Sequence, residues 1–447
     1  MNQKKIYCIG IGWIGVSALA RYYLSQWYEV FWSDSNNSKL IEALIWEWCD
    51  IIIWASSSRI DNSFETIIYS EAVPTTQGEL LRARELQLLC LKYSEALWRV
   101  VNEYKLITVS WTHGKSTTSS MIAQVLKHSW ESFSAVIGTI LKEFGGKNFY
   151  TQWDNNFFVI EACEYKEHFH AYKPLVAVIT NIEYDHADYF KTPESYVQAY
   201  ENFIHNILPW GFCILDANEK NSSKLIWKRS DINYIAVSKN SFELRGVDGS
   251  SEIFDFPEIV LHVPGSHILY DAKLSYVVTH MIGISDKVIL ESLENYSGVW
   301  RRMEKIGTTE NWNMLISDYG HHPTEIQVTL QALRDTYPEH TILCVFQPHQ
   351  YSRTIELIEW FKESFDAADT LIVPNIYESR DSEADKINMN TEIFLEAVNH
   401  KNSKNGKWLI HTAELIQKFD IDNPNNAILL LLWAWDIDSL RDKIKTS

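Results

Sequence analysis

The segment Ile107-Thr108-Val109-Ser110-Trp111-Thr112-His113-Gly114-Lys115-Ser116-Thr117-Thr118 constrains the fold more than any other stretch of the chain. An apolar β-branched strand runs into a tight turn, and Gly114-Lys115-Ser116 then opens an apolar helix. Strand, turn and helix in that order form the phosphate-binding unit of α/β proteins. Backbone N–H groups of Thr112 to Thr117 and the helix N-terminus cradle phosphate, Lys115 reaches its outer oxygens, and Ser116 is placed to ligate Mg²⁺.

One residue departs from the pattern, because Trp111 stands where such a turn has glycine. Trp13 likewise interrupts Gly10-Ile11-Gly12-Trp13-Ile14-Gly15, and Trp433-Ala434-Trp435-Asp436 follows the apolar run Ala427 to Leu432. Glycine averages roughly 7% of residues, about 31 in a chain of this length. Here there are 17 Gly and 18 Trp, so the Trp surplus matches the Gly deficit. Most Trp positions are therefore expected to be genetically glycine, from UGA codons that mean glycine but are translated as tryptophan. UGG codons at Trp13, Trp111, Trp300, Trp433 and Trp435 would end that reading. Trp227, Trp360 and Trp408 are expected to sit in contexts that suit a real indole.

A length of 447 residues suits about three domains. The net charge of −18, with no block of five or more basic residues, argues against a nucleic-acid or membrane-surface partner. Six scattered cysteines without a Cys-x-x-Cys pair read as buried thiols in a reducing cytoplasm. The longest apolar run, Ala427 to Trp435, is too short to cross a bilayer, so membrane insertion is not expected.

Strand-like and helix-like runs alternate throughout, which predicts α/β architecture with mainly parallel sheets. Residues 1–98 suit a small Rossmann-like domain, 99–300 a central P-loop ATPase-like domain, and 301–447 a Rossmann-like C-terminal domain. The polar stretch His400 to Lys407 is expected to be a floppy insert.

Other polar clusters follow apolar strands, where α/β ligand sites lie. Glu161-Ala162-Cys163-Glu164 follows Phe157 to Ile160, and a strand-end glutamate can hold the metal that neutralises a transferring phosphoryl group. Asn181-Ile182-Glu183-Tyr184-Asp185-His186 follows the next strand and brings imidazole toward the same edge. Ser317-Asp318-Tyr319-Gly320-His321-His322-Pro323-Thr324-Glu325 and Phe346-Gln347-Pro348-His349-Gln350-Tyr351-Ser352-Arg353-Thr354 repeat the arrangement, and two such loops side by side suit a small charged co-substrate. Gly10 to Gly15, with Asp34 beyond the next strand, supports a diphosphate at a helix start rather than nicotinamide.

In this order the motifs resemble the Mur ligases, and within them the alanine-adding branch, over nearly the whole chain. The resemblance implies that the N-terminal domain binds a UDP-sugar, the central domain ATP, and the C-terminal domain the amino acid. It implies ATP-driven phosphorylation of the lactyl carboxylate of UDP-N-acetylmuramate, then attack by the amine of L-alanine on the acyl phosphate.

By the same resemblance Gly10, Gly12, Trp13, Ile14, Gly15, Ser33, Asp34 and Ser70 contact the UDP-sugar. Trp111, Thr112, His113, Gly114, Lys115, Ser116, Thr117, Asn181, His267, Asp271, Arg302 and Asp318 contact ATP. Ser116, Glu161 and His186 hold Mg²⁺; Tyr319, His321, His349 and Arg353 line the amino-acid side. Lys115, Glu161, His186, His349 and Arg353 carry catalysis. Ile268 and Asp271 stand where the family usually has asparagine, and Trp111 would fill the space of a phosphate. A tripeptide-recycling ligase and a catalytically dead nucleotide-binding protein are the alternatives, and a monomer or weak homodimer is expected.

Overall fold

The structure is a computed structural model that describes residues 3–35, 39–47, 50–53, 56–110, 112–152, 154–179, 181–186, 189–379, 381–432, 436–441 and 443–444. Positions Trp111, Trp433 and Trp435 thus lie outside the described residues. The chain forms two compact units, Met1–Ile259 with Ala272–Glu294, and Val260–Asp271 with Asn295–Ser447.

Unit 1 contains two sheets. The first has five parallel strands, β1 (Lys5–Ile9), β2 (Glu29–Asp34), β3 (Asp50–Ile53), β4 (Thr66–Tyr69) and β5 (Leu89–Lys92), in the order β3-β2-β1-β4-β5. Helix α1 (Ile14–Ser25) follows β1 through the Gly10 to Gly15 turn.

The second sheet has nine strands: β6 (Lys105–Val109), β7 (Phe133–Leu141), β8 (Lys147–Thr151), β9 (Phe157–Glu161), β10 (Val176–Ile179), β11 (Phe212–Asp216), β12 (Asn233–Val237), β13 (Ser241–Arg245) and β14 (Ser251–Asp255). Their order is β14-β13-β12-β11-β10-β6-β9-β7-β8, parallel at the centre and antiparallel at both ends. The central strands read as unbroken apolar runs because helices cover both faces of a parallel sheet. Val176–Ile179 is buried at every position. Helix α2 (Lys115–His128) leaves the β6 turn and buries all of its residues from Thr117 to Leu126.

Unit 2 is built on β15 (Glu304–Thr308), β16 (Met314–Asp318), β17 (Thr341–Phe346), β18 (Thr370–Val373), β19 (Ser403–Asn405) and β20 (Ala427–Leu432), ordered β15-β16-β20-β17-β18-β19. The expectation of an α/β chain with three sheet-bearing domains is met.

Two local expectations are corrected. The polar stretch His400 to Lys407 is no floppy insert: Ser403–Asn405 pairs in parallel with Leu371–Val373 as an edge strand. Polarity there reflects an edge exposed to water rather than an absence of pairing. Among the described cysteines Cys8, Cys213 and Cys344 are buried, but Cys90 is only partly so and Cys163 is exposed. Among the described residues no helix is long and apolar enough to cross a membrane.

Candidate functional site

Parallel pairing places β9 and β10 on either side of β6. Three loops therefore leave the same sheet end side by side: the phosphate turn after Val109, the acidic loop after Glu161, and the Asn181 to His186 loop. Gly114 opens α2 with φ of 82°, a left-handed backbone that glycine adopts without strain. The turn is tied down by its neighbours. Thr112 N–H donates to the Asn181 carbonyl at 3.4 Å, His113 N–H to Asn181 Oδ1 at 3.3 Å, and the Thr112 hydroxyl to the Glu183 carbonyl at 2.7 Å. His113 Nε2 lies 2.9 Å from a Glu183 carboxylate oxygen.

The two glutamates after β9 divide the work. Glu161 accepts from the Ser116 hydroxyl at 3.0 Å and from the Gly138 N–H at 2.5 Å. A Cβ on Gly138 would come within 2.7 Å of that carboxylate, which would have to shift from its place to admit it. Glu164 is the more deeply placed, its side chain only 1% exposed. Its carboxylate lies 3.3 Å from Lys115 Nζ and 3.3 Å from His186 Nε2. Burial pushes the Glu164 carboxyl up, yet Lys115 and His186 outweigh it and hold it down at about 2. Burial works against the charge of Lys115 as well, and Glu164 beside it raises its pKa nonetheless.

His186, expected to share one ion with Glu161, lies against Glu164. Ser116 and Glu161 together are hard oxygen donors of the kind Mg²⁺ takes. The role of Glu164 was missed in the sequence; its spacing of three residues from Glu161, just past a strand end, was the signal available.

Around the Gly10 turn, Gly10 N–H donates to the Ser33 carbonyl at 2.9 Å, and Gly12 N–H to Asp34 Oδ2 at 2.7 Å. Asp34 therefore clamps the turn. Ser33 spends its hydroxyl on buried Glu79 at 2.6 Å, and the Ser70 hydroxyl accepts from Ala72 N–H at 3.3 Å. Trp13 caps α1 in extended backbone with its side chain exposed, and Ile14 is the first helical residue.

Unit 2 gathers the remaining candidates. Asp318, at the end of β16, accepts from Met303 N–H at 2.8 Å and Gly320 N–H at 2.7 Å. Helix α3 (Pro323–Thr336) begins just beyond, and its Glu325 accepts from Arg302 at 3.2 Å and from the His321 N–H at 3.1 Å. Burial opposes the Arg302 charge, but Glu325 and Asp318 hold it cationic. The Arg302 guanidinium lies over the Tyr319 ring. His267 and Asp271 belong to the same unit, through its Val260–Asp271 segment.

The two loops expected to lie side by side are not on adjacent strands, for β20 lies between β16 and β17. His321 and His349 still approach to 6.3 Å between ring centroids. His349 stacks on Tyr377, from the loop after β18, at 5.6 Å. Tyr377 also was not anticipated, being remote in sequence from either motif. Arg353 lies in the short helix α4 (Tyr351–Glu356), whose Ser352 is held by Asp381.

Burial lowers the His267 pKa to about 4 and that of His321 to about 3, in each case with help from a nearby arginine. Both rings stay neutral when folded at pH values where the unfolded chain, with histidine near 6.5, already binds protons. Stability contributed by these rings is therefore present above about pH 6.5 and falls as pH drops toward 4, by about 1.4 kcal/mol per pH unit for each ring. Denaturant midpoints at pH 7.5 and 5.5 check this; His321→Gln should reduce the loss, and an unchanged pH slope would contradict it.

Residues 5–105, 109–278 and 301–431 match in turn the catalytic domain of the Mur ligase family, the Mur ligase middle domain and the Mur ligase glutamate ligase domain. A UDP-N-acetylmuramate–L-alanine ligase of Clostridium acetobutylicum is 31% identical over 97% of this chain and 96% of its own. The chain belongs to the Mur ligase family. A second relative of this Mur ligase, the same-named enzyme of Clostridium tetani, is 36% identical over 85% of each chain. Among solved structures, the UDP-N-acetylmuramate-alanine ligase of Thermotoga maritima shares the fold with a TM-score of 0.78 over 98% of both chains, at 23% identity. A murein peptide ligase of Psychrobacter arcticus does so with a TM-score of 0.67 over 96% of this Mur ligase and 95% of its own chain, at 18% identity.

Proposed function

We propose that this chain is an ATP-dependent ligase that joins L-alanine to the lactyl carboxylate of UDP-N-acetylmuramate, a step of peptidoglycan synthesis. Near-full-length identity of 31% to a ligase of that name carries the reading. In the first step a carboxylate oxygen of the lactyl group attacks the γ-phosphorus, the bond to the bridging oxygen breaks, and ADP departs with the electron pair. In the second the alanine nitrogen attacks the acyl carbon, the C–O bond to phosphate breaks, and inorganic phosphate leaves carrying the proton shed by nitrogen.

Little covalent chemistry falls to the protein; positioning and charge do the work. Lys115 holds the γ-phosphate, with the N–H groups from Thr112 to Thr117 around the β-phosphate. Mg²⁺, when bound, neutralises charge on the phosphates, and the hydroxyl of Ser116 and carboxylate of Glu161, 3.0 Å apart, suit it. His186, through Glu164, keeps the Lys115 cation aimed into the turn. The Gly10 to Gly15 turn, clamped by Asp34, takes the sugar-nucleotide diphosphate. Arg302 and Asp318 serve ATP, and the group Tyr319, His321, His349 and Arg353 serves alanine.

Phosphate release tests this directly. The Trp111→Gly chain should release phosphate with UDP-N-acetylmuramate, ATP and L-alanine together, and not when the recycled tripeptide replaces alanine. Release with tripeptide alone would favour the recycling ligase, and none with either would favour a protein that binds without catalysis.

A further inference from the structure

The tryptophans left unexplained by the reaction carry a signature in the backbone. Among the described residues, seventeen positions other than glycine have positive φ, and six of them are Trp: Trp27, Trp130, Trp210, Trp227, Trp312 and Trp408, with φ between 62° and 75°. Side chains bearing a Cβ resist this region, at roughly 1–2 kcal/mol each, and Asn and Asp are the usual exceptions. An indole is among the least suited of all side chains to it.

The surroundings are those in which a chain asks for glycine. After α1, the Trp27 N–H donates to the Leu24 carbonyl and the Tyr28 N–H to the Tyr23 carbonyl. After α2, the Trp130 N–H donates to Lys127 and the Glu131 N–H to Leu126. Both are the paired 5→2 and 6→1 bonds of a Schellman helix end, with Trp at the position usually held by glycine. Trp210 follows Pro209, and the Gly211 N–H closes the turn onto the Leu208 carbonyl, so positive φ falls at the third position of a proline turn. Trp312 ends the β15–β16 hairpin loop, where the Trp312 N–H donates to Thr309 and the Thr309 N–H to Asn313. That is the left-handed position of a three-residue hairpin. The indoles of Trp27, Trp130, Trp210, Trp312 and Trp408 are 67–88% exposed, so packing offers no return for the strain.

We infer that these six residues are glycine in the protein as its own cells make it, each from a codon read there as glycine and here as tryptophan. The backbone thereby assigns individual positions, which the matched counts of Gly and Trp could not do. It also draws Trp227 and Trp408, expected in contexts that suit a real indole, into the recoded set through their left-handed φ of 69° and 75°. Trp227 is held against Tyr234 and Arg245 in this chain, contacts that glycine would forgo. Trp98 and Trp360 lie in helices, a backbone any residue adopts, so they stay unassigned.

Two measurements decide the matter. Peptides from the protein purified from its own host should carry glycine at positions 27, 130, 210, 227, 312 and 408, with UGA in the gene; tryptophan with UGG at these six would overturn the inference. Independently of the host, Trp27→Gly and Trp130→Gly should each raise the folding equilibrium constant of the recombinant chain several-fold above Trp27→Ala and Trp130→Ala. Alanine removes the same indole but keeps the Cβ, so equal stability of the Gly and Ala variants would refute the backbone argument.

Discussion

Exchanging Trp111 for glycine strengthens ATP binding by roughly a hundredfold or more. The flanks of the turn are anchored, with the Ser110 N–H donating to the Val178 carbonyl at 2.9 Å and the Thr112 hydroxyl to Glu183 at 2.7 Å. Neither flank can move to accommodate bulk between them without breaking those bonds. A phosphate turn works only if its backbone approaches the ligand closely, and glycine at its first position, having no side chain, leaves that approach open. Loss of two charge-assisted hydrogen bonds costs about 3 kcal/mol, which is roughly a hundredfold in affinity. Calorimetric titration of a non-hydrolysable ATP analogue into both chains measures this, and equal affinities would refute the steric account.

Lys115→Met should separate catalysis from stability. The substitution leaves the buried Glu164 carboxylate without its closest full cation, and breaking one side of such a pair destabilises by about 3–5 kcal/mol. It also removes the charge that meets the γ-phosphate, worth roughly 10²–10³-fold in turnover. Adding Glu164→Gln removes the stranded charge, so Lys115→Met/Glu164→Gln should regain most of the lost stability and none of the activity. Denaturant midpoints and phosphate release, both in the Trp111→Gly chain, report the two quantities separately. A double variant no more stable than Lys115→Met would show that Glu164 does not depend on Lys115.

Much of the site was legible because its chemistry is contiguous in sequence. Gly114-Lys115-Ser116 after an apolar strand is a complete local instruction: the strand, the turn and the helix start are neighbours, and phosphate binding follows from their order. The same holds for Asp318 to Glu325, where Glu325 folds back onto the N–H groups of His321 and His322 within one turn of helix. What stayed hidden depended on pairs far apart in sequence. Glu164 gave no sign of holding both Lys115 and His186, and Tyr377 none of stacking on His349, since nothing in either local pattern names a remote partner. His400 to Lys407 misled for a related reason, because an edge strand can be polar on both faces and lacks the apolar alternation by which strands are read.

From the sequence alone came the α/β class, the phosphate turn, the family resemblance and the mismatch between glycine and tryptophan. These are matters of local order and composition. The tertiary structure alone set β6 between β9 and β10, inserted β20 between β16 and β17, and put Trp27 and Trp130 at left-handed helix ends. Strand order is decided by which apolar faces find one another over long separations, and φ by where hydrogen bonds close a turn; neither is written in any single stretch of residues.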